Sequence, residues 1–210
     1  MAKKTTKRQP GPDRILDAAL VLASKTRWRE ISMEMIADES GASLTRVYDL
    51  FPSKSAVLNE FIRRTDRAVL ADHDLEDTSE PLRERLLDVL MRRLDALAPF
   101  KDAVGSITRD LSGDPGALLC SMPAFMRSMA WSLEAAGVSS SGLFGMARVK
   151  GLSTIYLGAL RVWLRDDTQD QSATMAYIDK NLKRAESAIT MMQFGGVRRK
   201  GAGELGNEVP

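Results

Sequence analysis

Apolar residues in this chain return every three or four positions, the spacing of one face of an α-helix, and nowhere alternate as a half-buried strand requires. Ile15, Leu16, Ala19, Leu22 and Ala23 mark a first helix from Pro12 to about Thr26. Its proline suits the first turn, where a missing N–H costs nothing. Trp28 and Ile31 are expected to close a small core. From Ser32 to Ser55 the pattern predicts two short helices and the start of a third. Ser32 is an N-cap for Met33 to Glu39, and Gly41 stands where the helix stops and the backbone needs positive φ. Ser43 caps Leu44 to Phe51. Pro52 ends that helix by pushing the residue before it out of the α region. A short helix, a glycine turn and a second short helix is the layout of a DNA-reading helix-turn-helix.

Ser53 opens a longer helix to about Ala71, with Val57, Leu58, Phe61, Ile62, Thr65 and Val69 facing inward. Pro81 opens another, ended by Pro99, with Leu82, Leu86, Leu87, Leu90, Leu94 and Leu97 on one face. Phe100 to Leu111 follows, with Val104 and Ile107 inward, and then Gly116 to about Ala136 with a kink expected at Pro123. From Ser141 to Arg165, the residues Leu143, Met146, Val149, Leu152, Tyr156, Leu160 and Trp163 fall close to one stripe. In the last helix, about Asp170 to Met192, Met175, Ile178, Leu182, Ala185, Ile189 and Met192 step by 3, 4, 3, 4, 3. That is the narrow seam of a helix lying along another helix. The expected fold is therefore all-α, with about nine helices. Residues 12–58 form a head and 59–194 a body. Residues 1–11 read as a disordered basic arm, Asp72 to Glu80 as a solvated acidic loop, and 195–210 as a disordered tail.

Charge sharpens this division. Net charge over 210 residues is only +2. Residues 1–64 carry 12 Lys/Arg against 8 Asp/Glu, whereas 65–194 carry 15 against 18. A basic head on a slightly acidic body fits one end meeting phosphate. Cys120 is the single cysteine and His73 the single histidine, which excludes an intrachain disulfide and the common zinc frameworks. A reducing, cytoplasmic setting is expected. The longest uncharged stretches, Pro115–Met126 and Ala135–Ala147, are well short of a membrane span. The basic N-terminus runs into Pro10-Gly11-Pro12 and an amphipathic helix, so it is not read as a secretory signal.

The segment from about Arg14 to Leu58 resembles the DNA-binding domain of TetR-family transcriptional regulators. The resemblance rests on Arg14-Ile15-Leu16-Asp17-Ala18-Ala19, Ile36-Ala37, Gly41-Ala42-Ser43, Val47-Tyr48 and Phe51-Pro52-Ser53-Lys54. It departs at Asp49, where the family often carries histidine and where a carboxylate would repel the DNA backbone. A recognition helix places its first turn and a half against base edges. Here that surface is Ser43, Leu44, Thr45, Arg46 and Tyr48. An Arg46 fork on guanine O6 and N7 is worth about 1–3 kcal/mol of discrimination. The resemblance further implies that Tyr48 bonds a phosphate and that Ser32 and Lys54 hold the DNA backbone from their helix starts. It implies a homodimer on double-stranded DNA, with the seam residues Met175, Ile178, Leu182, Ala185 and Ile189 in a four-helix interface. Most often such a protein is a repressor.

The body shows no nucleophile–base set, no metal motif and no phosphate-cradling glycine loop, so neither an enzyme nor a cofactor is expected. Its soft apolar groups suggest a pocket for a hydrophobic effector, with Met122, Phe125, Met126, Met129, Met146, Tyr156 and Trp163 as candidate lining. A second resemblance bears on this. Residues 156–188, including Trp163-Leu164-Arg165-Asp166-Asp167-Thr168 and Thr174-Met175-Ala176-Tyr177-Ile178-Asp179, look like the C-terminal region of the lipid-binding accessory protein of coenzyme Q biosynthesis. That family shares the TetR fold, and the likeness implies an alternative role as a lipid or isoprenoid carrier.

Overall fold

The computed structural model describes residues 9–71 and 80–201, with side chains described as far as Ser187. The arm up to Arg8, most of the acidic loop (72–79) and the tail from 202 lie outside the described residues. Among the described residues there are nine α-helices and no strand. The head holds α1 (Pro12–Lys25), α2 (Met33–Ser40) and α3 (Leu44–Leu50). Then follow α4 (Lys54–Ala71), α5 (Leu82–Leu97), α6 (Lys101–Leu111), α7 (Pro115–Ala135), α8 (Gly142–Trp163) and α9 (Ser172–Gly201).

The turn between α2 and α3 forms as its residues dictate. The Ser32 hydroxyl accepts the Met35 N–H at 3.1 Å, and the Ser43 hydroxyl accepts the Arg46 N–H at 3.2 Å. Gly41 ends α2 at φ +68°, a conformation that costs a Cβ-bearing residue about 1–2 kcal/mol. Behind this turn Ile15, Leu16, Ile36 and Val47 are fully buried, joined by Phe51, Val57 and Leu58. The head therefore packs on the start of α4, which continues into the body against α5 and α7.

In the body, α8 and α9 lie together and α5 packs on α9. Gly158 admits the Tyr177 ring of α9 against α8, where any Cβ would meet it. Three expectations need correction. The helix α9 runs on to Gly201 instead of ending near Met192. Leu82, Leu143 and Met146, near the N-terminal ends of α5 and α8, are exposed, not inward. The α9 seam is not a free face: Ile178 and Leu182 are buried in the protomer's own core. A one-dimensional seam specifies that a helix packs, not whether its partner is the same chain.

Candidate nucleic-acid interface and ligand cavity

At the tip of the head, Ser43, Leu44, Thr45 and Tyr48 are exposed along one side of α3, with Asp49 beside them. Leu44 is 53% and Tyr48 67% exposed, values that packing in the protomer does not explain. Arg46 is half-buried, and its Nε donates to the Pro10 carbonyl at 3.4 Å. The Ser43 N–H donates to Gln9 Oε1 at 3.3 Å. The end of the N-terminal arm is thus tied to the first turn of α3. The expected Arg46 fork must be offered by its terminal nitrogens, since Nε is engaged.

Ser32 sits at the start of α2, exposed, with its hydroxyl committed to the cap. Lys54 is turned inward, contrary to the expected phosphate contact. Its ammonium donates to the Trp28 carbonyl and lies 4.8 Å from the centre of the Trp28 ring. Burial lowers its pKa, partly offset by the charges of Asp110 and Asp114. This lysine pins the connector between α1 and α2 to the start of α4.

The body contains a cavity of about 180 Å³ between α4, α5, α6, α7 and α8. Leu58, Phe61, Ile62, Leu97, Val104, Ile107, Leu111 and Leu160 supply most of its apolar wall. Of the pocket residues expected from sequence, Met122, Phe125 and Tyr156 line it. The other four do not. Met129 is fully buried and Trp163 nearly so in the core, Met146 is 55% exposed, and Met126 packs against that core. Methionine content points to the right region but not to the wall.

Apart from Tyr156, the polar residues lining the cavity (Thr65, Arg93, Thr108 and Ser121) are not among the pocket residues expected from sequence. Arg93 of α5 is 3% exposed and pairs with Asp66 of α4 at 2.5 Å. Its guanidinium lies 5.3 Å from the Tyr156 ring centre. Asp66 also accepts from the Ser128 hydroxyl at 2.5 Å. Burial raises the Tyr156 pKa, with Arg93 partly opposing, so the phenol stays neutral. Arg93 falls three residues after Leu90 and four before Leu97. Helical phase therefore marks it as inward, while its charge argues the other way.

One further set of contacts joins cavity to head. The Ser106 hydroxyl of α6 accepts the Trp28 N–H and donates to the Thr26 carbonyl, both at 3.1 Å. Asp110 Oδ2 accepts the Arg29 N–H at 2.9 Å. Across the same junction Phe61 meets Phe100 edge to face at 5.7 Å, and Arg64 bonds Asp17 at 2.5 Å. One face of α6 lines the cavity while another holds the connector that carries α2.

With this geometry established, comparison with known proteins gives the fold. The chain superposes on a TetR transcriptional regulator from Nitrosomonas europaea with a TM-score of 0.67 at 23% identity, covering 85% of this chain and 99% of that one. The fold is TetR-like. A TetR regulator from Rhodococcus matches with TM-score 0.60 and 18% identity over 81% of this chain and 92% of its own. A TetR-family regulator from Streptomyces coelicolor matches with TM-score 0.56 and 20% identity over 92% of each chain. In sequence, 66 residues are 41% identical to the HTH-type transcriptional repressor KstR of Mycolicibacterium smegmatis. That match takes in 28% of this chain and spans 32% of the repressor's length. No protein-family model matches the chain. These likenesses lend no support to the quinone-pathway resemblance of residues 156–188. No described helix is long and apolar enough to cross a membrane.

Proposed function

We propose that this protein is a transcriptional repressor that binds a near-palindromic operator as a homodimer and is modulated by a small hydrophobic effector. The observation that carries this reading is α3. Its Ser43, Leu44, Thr45 and Tyr48 stand exposed on a rigid, doubly capped turn, in a TetR-like fold. Thr45 and Tyr48 supply hydroxyls to base edges and phosphate, and Arg46 supplies charge beside them. The N-termini of α2 and α4 add N–H groups and positive dipole ends for the backbone. The likeness to a named repressor across 66 residues supports the sign of regulation.

Dimerisation falls to the exposed side of the last two helices. Leu143, Met146 and Leu157 of α8 and Met175 of α9 are each at least 41% exposed, a stripe of apolar surface that a second copy would cover. Of the seam residues, Met175 belongs to this face, and Ile178 and Leu182 do not. Effector binding would act through α6, which shares the cavity wall and the Trp28 connector, and through α4, which shares the cavity wall and the head. For this to regulate, the ligand must bind the two head arrangements unequally.

The test is a gel shift with genomic fragments, using the parent, Thr45→Ala and Arg46→Ala. The parent is expected to retain a small set of fragments at physiological salt, with each variant losing about 5- to 100-fold in affinity, the range of one good base contact. Absence of any retained fragment at low salt would overturn the reading.

A further inference from the structure

The folded head carries little charge of its own for a DNA partner. Residues 9–64 hold 8 Lys/Arg and 8 Asp/Glu, so the excess of four over residues 1–64 comes entirely from Lys3, Lys4, Lys7 and Arg8. The proposed reading turn is less favourable still. Across residues 32–51, through α2 and α3, Arg46 stands against Glu34, Asp38, Glu39 and Asp49. Lys54, the next cation along the chain, is seated on Trp28. Double-stranded DNA is a dense polyanion, and a protein's non-specific hold on it comes from Lys and Arg displacing its counterions. Side chains with this balance cannot supply that hold from α2 and α3.

We propose that Lys3, Lys4, Lys7 and Arg8 bind the phosphates flanking the groove that α3 enters, and that Gln9 is the residue that positions them. This rests on the DNA-reading role proposed above for α3. Two hydrogen bonds fix where the basic run begins. Gln9 Oε1 takes the Ser43 N–H at 3.3 Å, and the Pro10 carbonyl takes Arg46 Nε at 3.4 Å. Both partners lie at the start of α3, beside the exposed Leu44 and Thr45. Consecutive Cα atoms are about 3.8 Å apart, so Arg8 and Lys7 lie within about 8 Å of Gln9 whatever path the chain takes. The six steps back to Lys3 span at most about 21 Å. The major groove is about 12 Å wide, so all four charges can reach a strand that borders it. Residues 1–8 hold no aromatic group to stack on a base and no carboxylate to oppose the backbone, so charge is what they bring. Sequence reading then stays with α3, and the electrostatic hold lies in the arm.

Salt dependence tests this contact. The full chain, a fourfold variant (Lys3→Gln, Lys4→Gln, Lys7→Gln and Arg8→Gln) and Gln9→Ala are titrated by fluorescence anisotropy against a fragment retained by the parent and against a mixed-sequence duplex. Each charge engaged adds about 0.9 to the steepness of log K against log salt. The fourfold variant should lose about 2–4 of that slope per protomer on both duplexes, and should melt with the parent. Gln9→Ala keeps every charge and should weaken binding to the retained fragment about fivefold, the value of one neutral hydrogen bond. In the fourfold background the same change should have no effect, because Gln9 acts through the cations it places. An unchanged slope in the fourfold variant would overturn the proposal while leaving α3 as the reader. No loss from Gln9→Ala, or an equal loss in both backgrounds, would overturn its positioning role. If the parent bound neither duplex at low salt, this proposal and the regulatory reading would fall together.

Discussion

Replacing Ser106 with alanine removes a side chain that bonds the body to the α1–α2 connector at both Thr26 and Trp28. Its hydroxyl takes the Trp28 N–H and gives to the Thr26 carbonyl, at 3.1 Å each. Each such bond contributes about 1 kcal/mol net, and the stranded Trp28 amide sits in a half-buried joint where water reaches it only in part. Opposing this, alanine is a better helix former than serine by about 0.5 kcal/mol inside α6. The net loss is therefore about 1–2 kcal/mol. Urea unfolding measures it. With a slope of about 2 kcal/mol per molar, the midpoint should fall by about 0.5–1 M with the slope unchanged. Ser112→Ala is the control, because that hydroxyl bonds only the Thr108 carbonyl of its own helix at an exposed site. It should stay within about 0.5 kcal/mol of the parent. If Ser106→Ala moved the midpoint no further than this control, the joint would not depend on the hydroxyl bridge. The route proposed from cavity to head through α6 would then lose its mechanical basis.

Three other outcomes are expected. Gly41→Ala should cost about 1–2 kcal/mol from backbone strain alone, since the nearest atom to a new Cβ is Arg14 Nη2 at 3.8 Å; a smaller shift in a thermal melt would mean that the turn relaxes. Asp166 is held below its ordinary value of 3.8 by hydrogen bonds from Thr168 and Thr174, so its contribution to stability is present above pH 4 and fades as pH falls further. Asp166→Asn should melt lower at pH 7, and the gap to the parent should narrow from pH 4 towards pH 2; a gap constant with pH would refute the assignment. Leu143→Glu and Met146→Glu, on the exposed stripe of α8, should convert a dimer to monomer in sedimentation without lowering helix content, whereas Ile178→Glu should instead unfold the protomer.

Legibility in the sequence follows the range of the interaction. The head is readable almost residue by residue because its determinants are local: a hydroxyl capping an N–H three positions on, a glycine taking φ +68°, a proline ending a helix. Helix phase carries the inward faces of α4 and α6 equally well, for Val57, Phe61, Thr65, Val104 and Ile107 are all buried. Phase alone stops there. It says that Ile178 and Leu182 face something, and the structure supplies α5 and α8 in place of a partner subunit. It says that Arg93 lies inward, but a buried arginine is credible only once Asp66, 27 residues away, is seen to neutralise it.

The same limit explains why the joint between cavity and head is invisible in the sequence. Ser106 and Trp28 are 78 residues apart, and Asp110 and Arg29 are 81 apart. Neither pair has a spacing that any local rule would flag. Lys54 shows the converse error. A lysine at the start of a helix beside a proposed DNA-reading turn has the right charge in the right place for phosphate, and local reasoning sends it outward. The Trp28 ring and carbonyl, brought within reach only by the fold, offer its ammonium a partly buried seat. Seated there, the lysine fixes the connector to α4, which a rigid head requires. A shift of α6 at the cavity would bear on the connector that Lys54 and Ser106 both hold at Trp28.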